Sequence, residues 1–320
     1  MFNLKFDIPK SKSLINLKDK VVSIGSCFSD NIGQKLADNK FQVLSNPLGT
    51  IFNPYSIFNV LKNELNTHGV VENQGVFFHY DAHGEISALT KDDLTELIDQ
   101  RTETLQNSLK DANWLIITFG TGFVYSHKST DAIVANCHKV PQSEFDKRLL
   151  QPGEIVEHYH ACMKKLRSVN PGLRVLLTIS PVRHTKDGLH ENNVSKGILH
   201  HATAEILKQD KRALYFPSYE IQMDELRDYR FYSKDLIHPS QEAIDYIWSR
   251  FCETYMNPET LAFLKDWNKI KISLQHRPFQ PQSSNHQDFL RKLKRDIENL
   301  KDRIDVSEEL AEIKKQLDSK

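Results

Sequence analysis

The sequence has no net charge, little cysteine and no long apolar run, and each absence removes a class of protein. Lys plus Arg and Asp plus Glu both total 42 among 320 residues, so the formal net charge is zero. This balance argues against a chain whose main task is to hold a polyanion, and we expect no nucleic-acid partner. No stretch of 18 apolar residues occurs. We therefore expect no membrane span.

Cysteine is not only scarce but scattered. The chain has four cysteines, at positions 27, 137, 162 and 252, and it has neither a Cys-x-x-Cys nor a His-Glu-x-x-His motif. We therefore expect neither a metal site nor a bound cofactor. Residues 1–7 lack the basic region and apolar stretch of a signal peptide. Reduced thiols in the cytoplasm are the resulting prediction.

What the sequence does have is a regular alternation of short apolar runs and amphipathic stretches, which is typical of a parallel sheet covered by helices. The runs predict strands at 21–24, 41–44, 114–119, 174–179 and 213–216. The stretches predict helices from near 30 to 36 and over about 54–61, 152–167, 193–209 and 241–255. A small hairpin and a helix between the second and third strands should shape one wall of a site. We predict a three-layer α/β/α domain over residues 1–275, with a mainly parallel five-stranded sheet.

The character of the chain changes after residue 275. Residues 276–287 are polar and contain proline, as linkers do. In residues 288–320 an apolar seam repeats with spacings of 3 and 4, at Leu290, Leu293, Ile297, Leu300 and Ile304. This heptad pattern predicts C-terminal helices, arranged either as a hairpin that docks on its own domain or as a short coiled coil that joins two copies into a homodimer.

The turn Gly25-Ser26-Cys27-Phe28 follows the first predicted strand. In open α/β sheets, ligands bind outside the carboxyl ends of the strands. Backbone amides at a helix N-terminus carry partial positive charge, which should lower the pKa of the Cys27 thiol and stabilise an oxyanion. Cys27 is therefore a candidate nucleophile, and Ser26 is a second one. The alternative is a cysteine that packs as a small apolar residue.

Asp235 precedes His238 by three residues, in a loop before the predicted helix at 241–255. A carboxylate so placed can accept a hydrogen bond from the imidazole and fix its tautomer, which leaves the other ring nitrogen free as a base. Pro239 favours an extended conformation at His238, suited to a side chain that projects from a loop. Asp235 and His238 are therefore candidate partners of the nucleophile.

This arrangement resembles the SGNH (GDSL-like) hydrolase superfamily, and the string Gly-Ser-Cys-Phe resembles the bacterial GSCFA-domain family within it. Similar blocks follow at 120–122, 136–139, 180–184 and 231–239, so the resemblance covers roughly residues 15–265. It implies an acyl hydrolase, an esterase or thioesterase, that acts on a small-molecule or glycan acyl ester. Cys27 then stands where the superfamily has its serine nucleophile, and Ser26 stands at the aspartate position.

The resemblance also implies an oxyanion hole. Gly49 corresponds to the glycine whose amide contributes a donor, and the Gly-x-Asn block of the superfamily corresponds to Gly120-Thr121-Gly122, which lacks the asparagine. Losing one such donor can slow catalysis roughly 10²–10³-fold. Asn136 and His184 are candidates to replace it.

Three alternatives stay open at this point. The chain could be an acyltransferase on a carbohydrate or lipid-like acceptor, or a binding module that has the cleft without efficient catalysis. Cys137 and His138 form an alternative Cys/His pair, although adjacent side chains in an extended segment point apart. A dinucleotide-binding fold is disfavoured, because no Gly-x-Gly-x-x-Gly follows the first strand.

Overall fold

The computed structural model describes residues 4–318. The strands are β1 (Lys20–Gly25), β2 (Gln42–Ser45), β3 (Val70–Asn73), β4 (Val76–His79), β5 (Ser87–Ala88), β6 (Trp114–Phe119), β7 (Phe123–His127), β8 (Ala132–Val134), β9 (Phe145–Leu149), β10 (Arg174–Ile179) and β11 (Ala213–Phe216). The helices are α1 (Cys27–Asp38), α2 (Pro54–Lys62), α3 (Lys91–Asp111), α4 (Pro152–Val169), α5 (Leu189–Gln209), α6 (Ser218–Glu220), α7 (Gln241–Tyr255), α8 (Pro258–Leu274), α9 (Ser284–Glu298) and α10 (Ser307–Asp318).

The central sheet has five parallel strands in the order β11-β10-β6-β1-β2. Alternate residues of each strand face opposite layers of helix. In β6, Leu115 and Ile117 join the core made with α2 to α5, whereas Trp114 and Ile116 join the core made with α1 and α7. The predicted α/β class and its five strands are confirmed, and the strand order is of the flavodoxin type.

Two helices begin earlier than predicted. α1 starts at Cys27 instead of near residue 30, because Ser26 is extended and takes the N-cap position while its carbonyl accepts from the amide of Ser29 at 2.7 Å. α5 starts at Leu189 instead of near 193. The first difference matters for chemistry, since it makes Cys27 the first helical residue, where amides lack partners within the helix.

Two small antiparallel sheets lie outside the central one. The sheet β3-β4-β5 and the long helix α3 provide the hairpin and helix predicted between the second and third strands of the central sheet. The sheet β8-β7-β9 follows β6 and was not predicted from the sequence.

The C-terminal helices dock on the chain itself. The seam residues Leu290, Leu293 and Ile297 are buried in a cluster with Phe263 and Trp267 of α8. Within one chain these contacts are those of a docked hairpin, and a homodimer through 288–320 stays a prediction. Across residues 4–318, no helix has the length and apolar character that crossing a bilayer requires.

Candidate active site

The turn after β1 is fixed by contacts with its neighbours in the sheet. Gly25 has φ of 141°, and a Cβ atom there would lie 2.2 Å from the carbonyl oxygen of Thr118 in β6. Only glycine fits such a close approach without displacing β6. The amide of Ser26 donates to that same Thr118 oxygen at 3.1 Å. The strand therefore ends in a rigid turn that places Cys27 at the start of α1.

The two candidate nucleophiles differ in exposure. Ser26 is fully buried, and its Oγ has no hydrogen-bond partner among the described residues. Cys27 is half-buried. The oxygen of Ser26 is therefore closed to a substrate in this conformation, whereas Cys27 keeps part of its surface exposed.

The prediction that the helix N-terminus lowers the pKa of Cys27 is wrong in its net direction. Burial raises the pKa of this thiol, and the negative charge of Asp30 adds to the rise. The amides of Cys27 and Phe28 and the charge of Lys196 act in the opposite direction, and together they do not outweigh burial. The resting site therefore holds a thiol, and a base is needed to activate it.

Asp30 is held beside the sulfur by Asn46. The Nδ2 of Asn46 donates to Asp30 Oδ1 at 2.6 Å, and its Oδ1 accepts from the amide of Gly25 at 2.8 Å. Burial raises the pKa of the Asp30 carboxyl, while the hydrogen bond from Asn46 opposes that rise. Asn46 thus ties the end of β1 to the first turn of α1.

Asp235 and His238 form the pair that their spacing predicts. Asp235 Oδ2 lies 2.7 Å from His238 Nδ1, and its Oδ1 accepts from the amides of Ile237 and His238 at 2.9 and 3.0 Å. These donors, the Ile237 amide first, lower the pKa of Asp235 to about 2. The carboxylate thereby favours the tautomer whose proton is on Nδ1, and the Nε2 of His238 is left as an acceptor.

His238 and Cys27 are not hydrogen-bonded to each other in the described part of the chain. His184 interacts electrostatically with His238 and with Lys196. Burial, with smaller contributions from the charges of Lys196 and His238, lowers the pKa of His184 to about 4, and only Asp187 opposes the shift. The charge of Lys196 also acts on Cys27, so Lys196 is electrostatically coupled to Cys27 and to His184, and His184 to His238.

Lys196 is a functional candidate that the sequence did not reveal. It lies on α5, is only 2% exposed, and its Nζ donates to the carbonyl oxygens of Gly120 at 2.8 Å and Ser180 at 2.7 Å. Burial lowers its pKa to about 7, and Cys27 opposes that shift. No carboxylate pairs with it within residues 4–318. A lysine within an amphipathic helix normally faces solvent, so the sequence carried no signal for this one.

Three amides predicted near the oxyanion hole are already engaged. The amide of Gly49 donates to the carbonyl of Asn46 at 2.7 Å, and those of Gly120 and Thr121 donate to the carbonyl of Phe52 at 2.8 and 3.0 Å. An engaged amide cannot serve a developing oxyanion without a local rearrangement.

Donors that remain near the site are on side chains. His184 has a buried Nε2 without a partner in the described structure. Asn136 accepts from the amide of His138 through Oδ1, at 2.9 Å, and its Nδ2 donates to none of the described residues. Each of the two replacements that the sequence suggested thus keeps one side-chain nitrogen without a partner among the described residues.

The alternative pair of Cys137 and His138 does not form. The His138 ring stacks on Phe78 with centroids 4.9 Å apart, and its Nε2 lies 2.8 Å from the carbonyl oxygen of His79. His138 is thus committed to the small sheet. Among the described residues, no group of three or more His, Cys, Asp or Glu side chains is arranged to hold a metal ion.

Two family models match the chain. One, described as the GSCFA family, matches residues 20–251, which run from β1 into α7. The other, described as GSCFA domain protein, C-terminal domain, matches residues 267–319. Comparison with curated proteins gives no match.

Proposed function

The chain belongs to the GSCFA family, and from that premise we propose that it is an acyl hydrolase, an esterase or thioesterase with a cysteine nucleophile. The proposal rests on one observation above the others, the 2.7 Å contact between Asp235 and His238 in the loop before α7. An imidazole held in one tautomer by a carboxylate is the usual base for such a nucleophile. The resemblance of roughly residues 15–265 to SGNH hydrolases supports the same reaction class.

In the proposed reaction, His238 Nε2 accepts the proton of the Cys27 thiol as the sulfur bonds to the acyl carbon. The bond from that carbon to the leaving group breaks, and His238 returns the proton to the departing oxygen or sulfur. Water then attacks the acyl-enzyme, with His238 again taking a proton, and releases the acid and the free thiol. Asp235 stays ionised and stabilises the imidazolium. Because apo sites are often looser than loaded ones, we expect substrate binding to close the gap between Cys27 and His238.

We assign Lys196 an electrostatic role in this reaction. Its ammonium uses two of three N–H groups on the carbonyls of Gly120 and Ser180, which leaves one donor. Gly120 begins the block in which the superfamily asparagine is absent. A positive charge there favours a thiolate and a developing oxyanion, and a dry site strengthens its effect. Lys196 would thereby replace the missing donor.

Transfer to an acceptor hydroxyl instead of water is the second form of the same chemistry, and a carbohydrate or lipid-like acceptor would suit it. A cytoplasmic location fits either form, and the four free cysteines support a reducing compartment.

A binding module is the candidate from another class. The engaged amides of Gly49, Gly120 and Thr121 favour it, as does the lack of a hydrogen bond from Cys27 to His238 among the described residues. Labelling with iodoacetamide separates the two classes. An enzyme should label at Cys27 faster than at the buried Cys162 and Cys252, whereas a binding module need not.

The direct test follows hydrolysis of short p-nitrophenyl esters and thioesters by single variants. Cys27→Ala should lose about 10³-fold or more in kcat/KM, because the nucleophile is gone. Ser26→Ala should keep most of the activity, since Ser26 is sealed from substrate. Cys252→Ala is the matched control for loss of a thiol elsewhere. Full activity in Cys27→Ala would remove the proposed mechanism.

A further inference from the structure

A cavity of about 200 Å³ lies against the loop that carries His238. Its walls include Arg183, Gln222, Met223, Arg227, Tyr229 and Tyr232, and we call it the Arg183 pocket. The amide of Arg183 donates to the carbonyl of Ile237 at 3.3 Å, and Tyr232 forms a bridge with Pro239. Ile237 is therefore hydrogen-bonded to one residue of this pocket, and Pro239 lies opposite another across the bridge.

Arg183 brings an uncompensated positive charge to the pocket. Its guanidinium lies 4.3 Å from the ring centroid of Tyr232 and 5.5 Å from that of Tyr229. Within residues 4–318 no carboxylate pairs with it. Arg227, by contrast, is paired with Asp224 at 2.7 Å. Stacking on tyrosine orients the planar fork of an arginine without using its hydrogen-bond donors.

The remaining charge in the pocket does not cancel that of Arg183. Asp228 also lines it, but its carboxylate is engaged with Arg230, through the amide at 2.9 Å and the side chain at 3.7 Å. Of the two arginines that line the pocket, Arg183 is thus the one without an ion pair among the described residues.

Gln222 adds an unmet acceptor to the same wall. Its side chain is fully buried, and its Nε2 donates to the carbonyl of Phe231 at 3.2 Å. Its Oε1 has no hydrogen-bond partner in the part of the chain that the structure describes. A buried acceptor without a donor is destabilising by roughly 1–3 kcal/mol. Because Oε1 is sealed from solvent in this conformation, a ligand hydroxyl relieves this once side chains of the pocket wall rearrange.

The pocket is near the nucleophile as well as the base. Tyr219 lies between them, because the Nζ of Lys196 is 5.5 Å from its ring centroid. Burial raises the pKa of the Tyr219 hydroxyl and the charge of Arg183 opposes that rise, so Arg183 also lies within electrostatic reach of Tyr219. One aromatic side chain thus separates the lysine beside Cys27 from the Arg183 pocket.

We propose that the Arg183 pocket binds a compact anionic group with a neighbouring hydroxyl on the substrate, so that the substrate class is acyl esters or thioesters that carry a carboxylate or a phosphate beside a hydroxyl. This inference rests on the proposed acyl chemistry at Cys27. Arg183 supplies the paired donors for the anion, and Gln222 Oε1 accepts from the hydroxyl. The pocket volume suits a group of a few heavy atoms and excludes a long acyl chain.

The turnover test compares p-nitrophenyl hemisuccinate with the neutral p-nitrophenyl butyrate. Arg183→Met should raise KM for the anionic ester about 10- to 100-fold, the range for losing hydrogen bonds to a charged group. It should change KM for the neutral ester less than about twofold. Arg183→Lys keeps the positive charge but not the paired donors of the guanidinium. Its KM for the anionic ester should therefore lie between those of the native chain and Arg183→Met. Arg291→Met, at an exposed arginine of α9 that is paired with Asp288 and lies outside the pocket, is the matched control and should leave both esters nearly unchanged. Equal effects of Arg183→Met on both esters would overturn the inference.

A binding test separates this inference from the proposed reaction. Calorimetry on the Cys27→Ala protein with malate, succinate and inorganic phosphate needs no turnover. Malate should bind more tightly than succinate, and Gln222→Leu should remove that preference. Phosphate binding in place of malate would identify the anion as a phosphate. Adding Arg183→Met should abolish binding while the melting temperature stays the same.

The outcomes are distinct. Anion binding that depends on Arg183, in a protein that hydrolyses no ester, would keep the pocket and reject the acyl chemistry. Turnover of neutral esters, with no anion bound up to roughly 10 mM, would keep the chemistry and reject the pocket. Binding that is unchanged by Arg183→Met would also reject it.

Discussion

The two sides of the candidate site are built in opposite ways. Cys27 sits in a half-buried turn whose fixing contacts come from other elements, Thr118 of β6 and Asn46 after β2. His238 sits on the surface, its side chain 49% exposed, and is fixed by a carboxylate three residues away. Groups on the buried side can have pKa values far from their ordinary range, as Lys196 and His184 do. The exposed side provides a hydrated base whose orientation depends on one local contact.

The largest expected effect tests which histidine is the base. His238→Ala should lower kcat/KM for a p-nitrophenyl ester about 10²–10⁴-fold, the usual contribution of a positioned general base. Asp235→Asn should lose less, because the imidazole remains while its tautomer and imidazolium lose support. Steady-state kinetics at neutral pH measure both.

His68→Ala, at an exposed histidine in the loop before β3, is the control and should leave the rate unchanged. A larger loss in His184→Ala than in His238→Ala would move the base to the buried side. In that case the base would be as buried as the nucleophile, and the two sides of the site would not differ in hydration.

The next effect concerns the rigidity of the buried side. Gly25→Ala should lower the free energy of unfolding by at least about 2 kcal/mol, because alanine is strained at positive φ and its Cβ would meet the Thr118 carbonyl at 2.2 Å. Urea unfolding followed by circular dichroism gives the difference.

Gly153→Ala is the matched substitution, since Gly153 lies in the first turn of α4 and an added Cβ would meet nothing within 4 Å. It should stabilise the protein by roughly 0.5–1 kcal/mol. If the two variants had similar stability, the turn at Gly25 would not be rigid.

The same contrast explains what the sequence could reveal. The inner strands β1, β6 and β10 were predicted because each is a largely apolar run buried on both faces, and the edge strands β2 and β11 because they contain short apolar runs. The Asp235 and His238 contact was predicted because its atoms are three residues apart. Such features depend on periodicity or on local spacing, and both can be read along the chain.

The buried features depend on distant partners and were missed or misjudged. Lys196 is buried because its ammonium reaches two strand ends more than ten residues away, at Gly120 and Ser180. The pKa of Cys27 is raised because desolvation outweighs the helix amides, and the depth of burial is a property of the fold. No pattern near residue 27 or 196 contains that information.

The smallest expected effects are changes in the rate at which iodoacetamide alkylates Cys27. These changes test directly the charges that act on the buried thiol. Lys196→Met removes a positive charge that favours the thiolate, so the rate at pH 6.5 should fall roughly three- to tenfold. Asp30→Asn removes a negative charge that disfavours the thiolate, so the rate should rise by a similar or smaller factor. Mass spectrometry of the Cys27 peptide measures both rates.

The pH dependence distinguishes these two charges. The pKa of Lys196 is lowered to about 7, so its ammonium loses its proton as the pH rises through that value. The rate difference between the native chain and Lys196→Met should therefore be largest below pH 7 and fade above it. The Asp30 carboxylate stays ionised in alkaline solution, so the effect of Asp30→Asn should persist at pH 9. A Lys196→Met effect that persisted equally at pH 9 would mean that the lysine stays charged, and Cys27 would then face a permanent rather than a titrating cation.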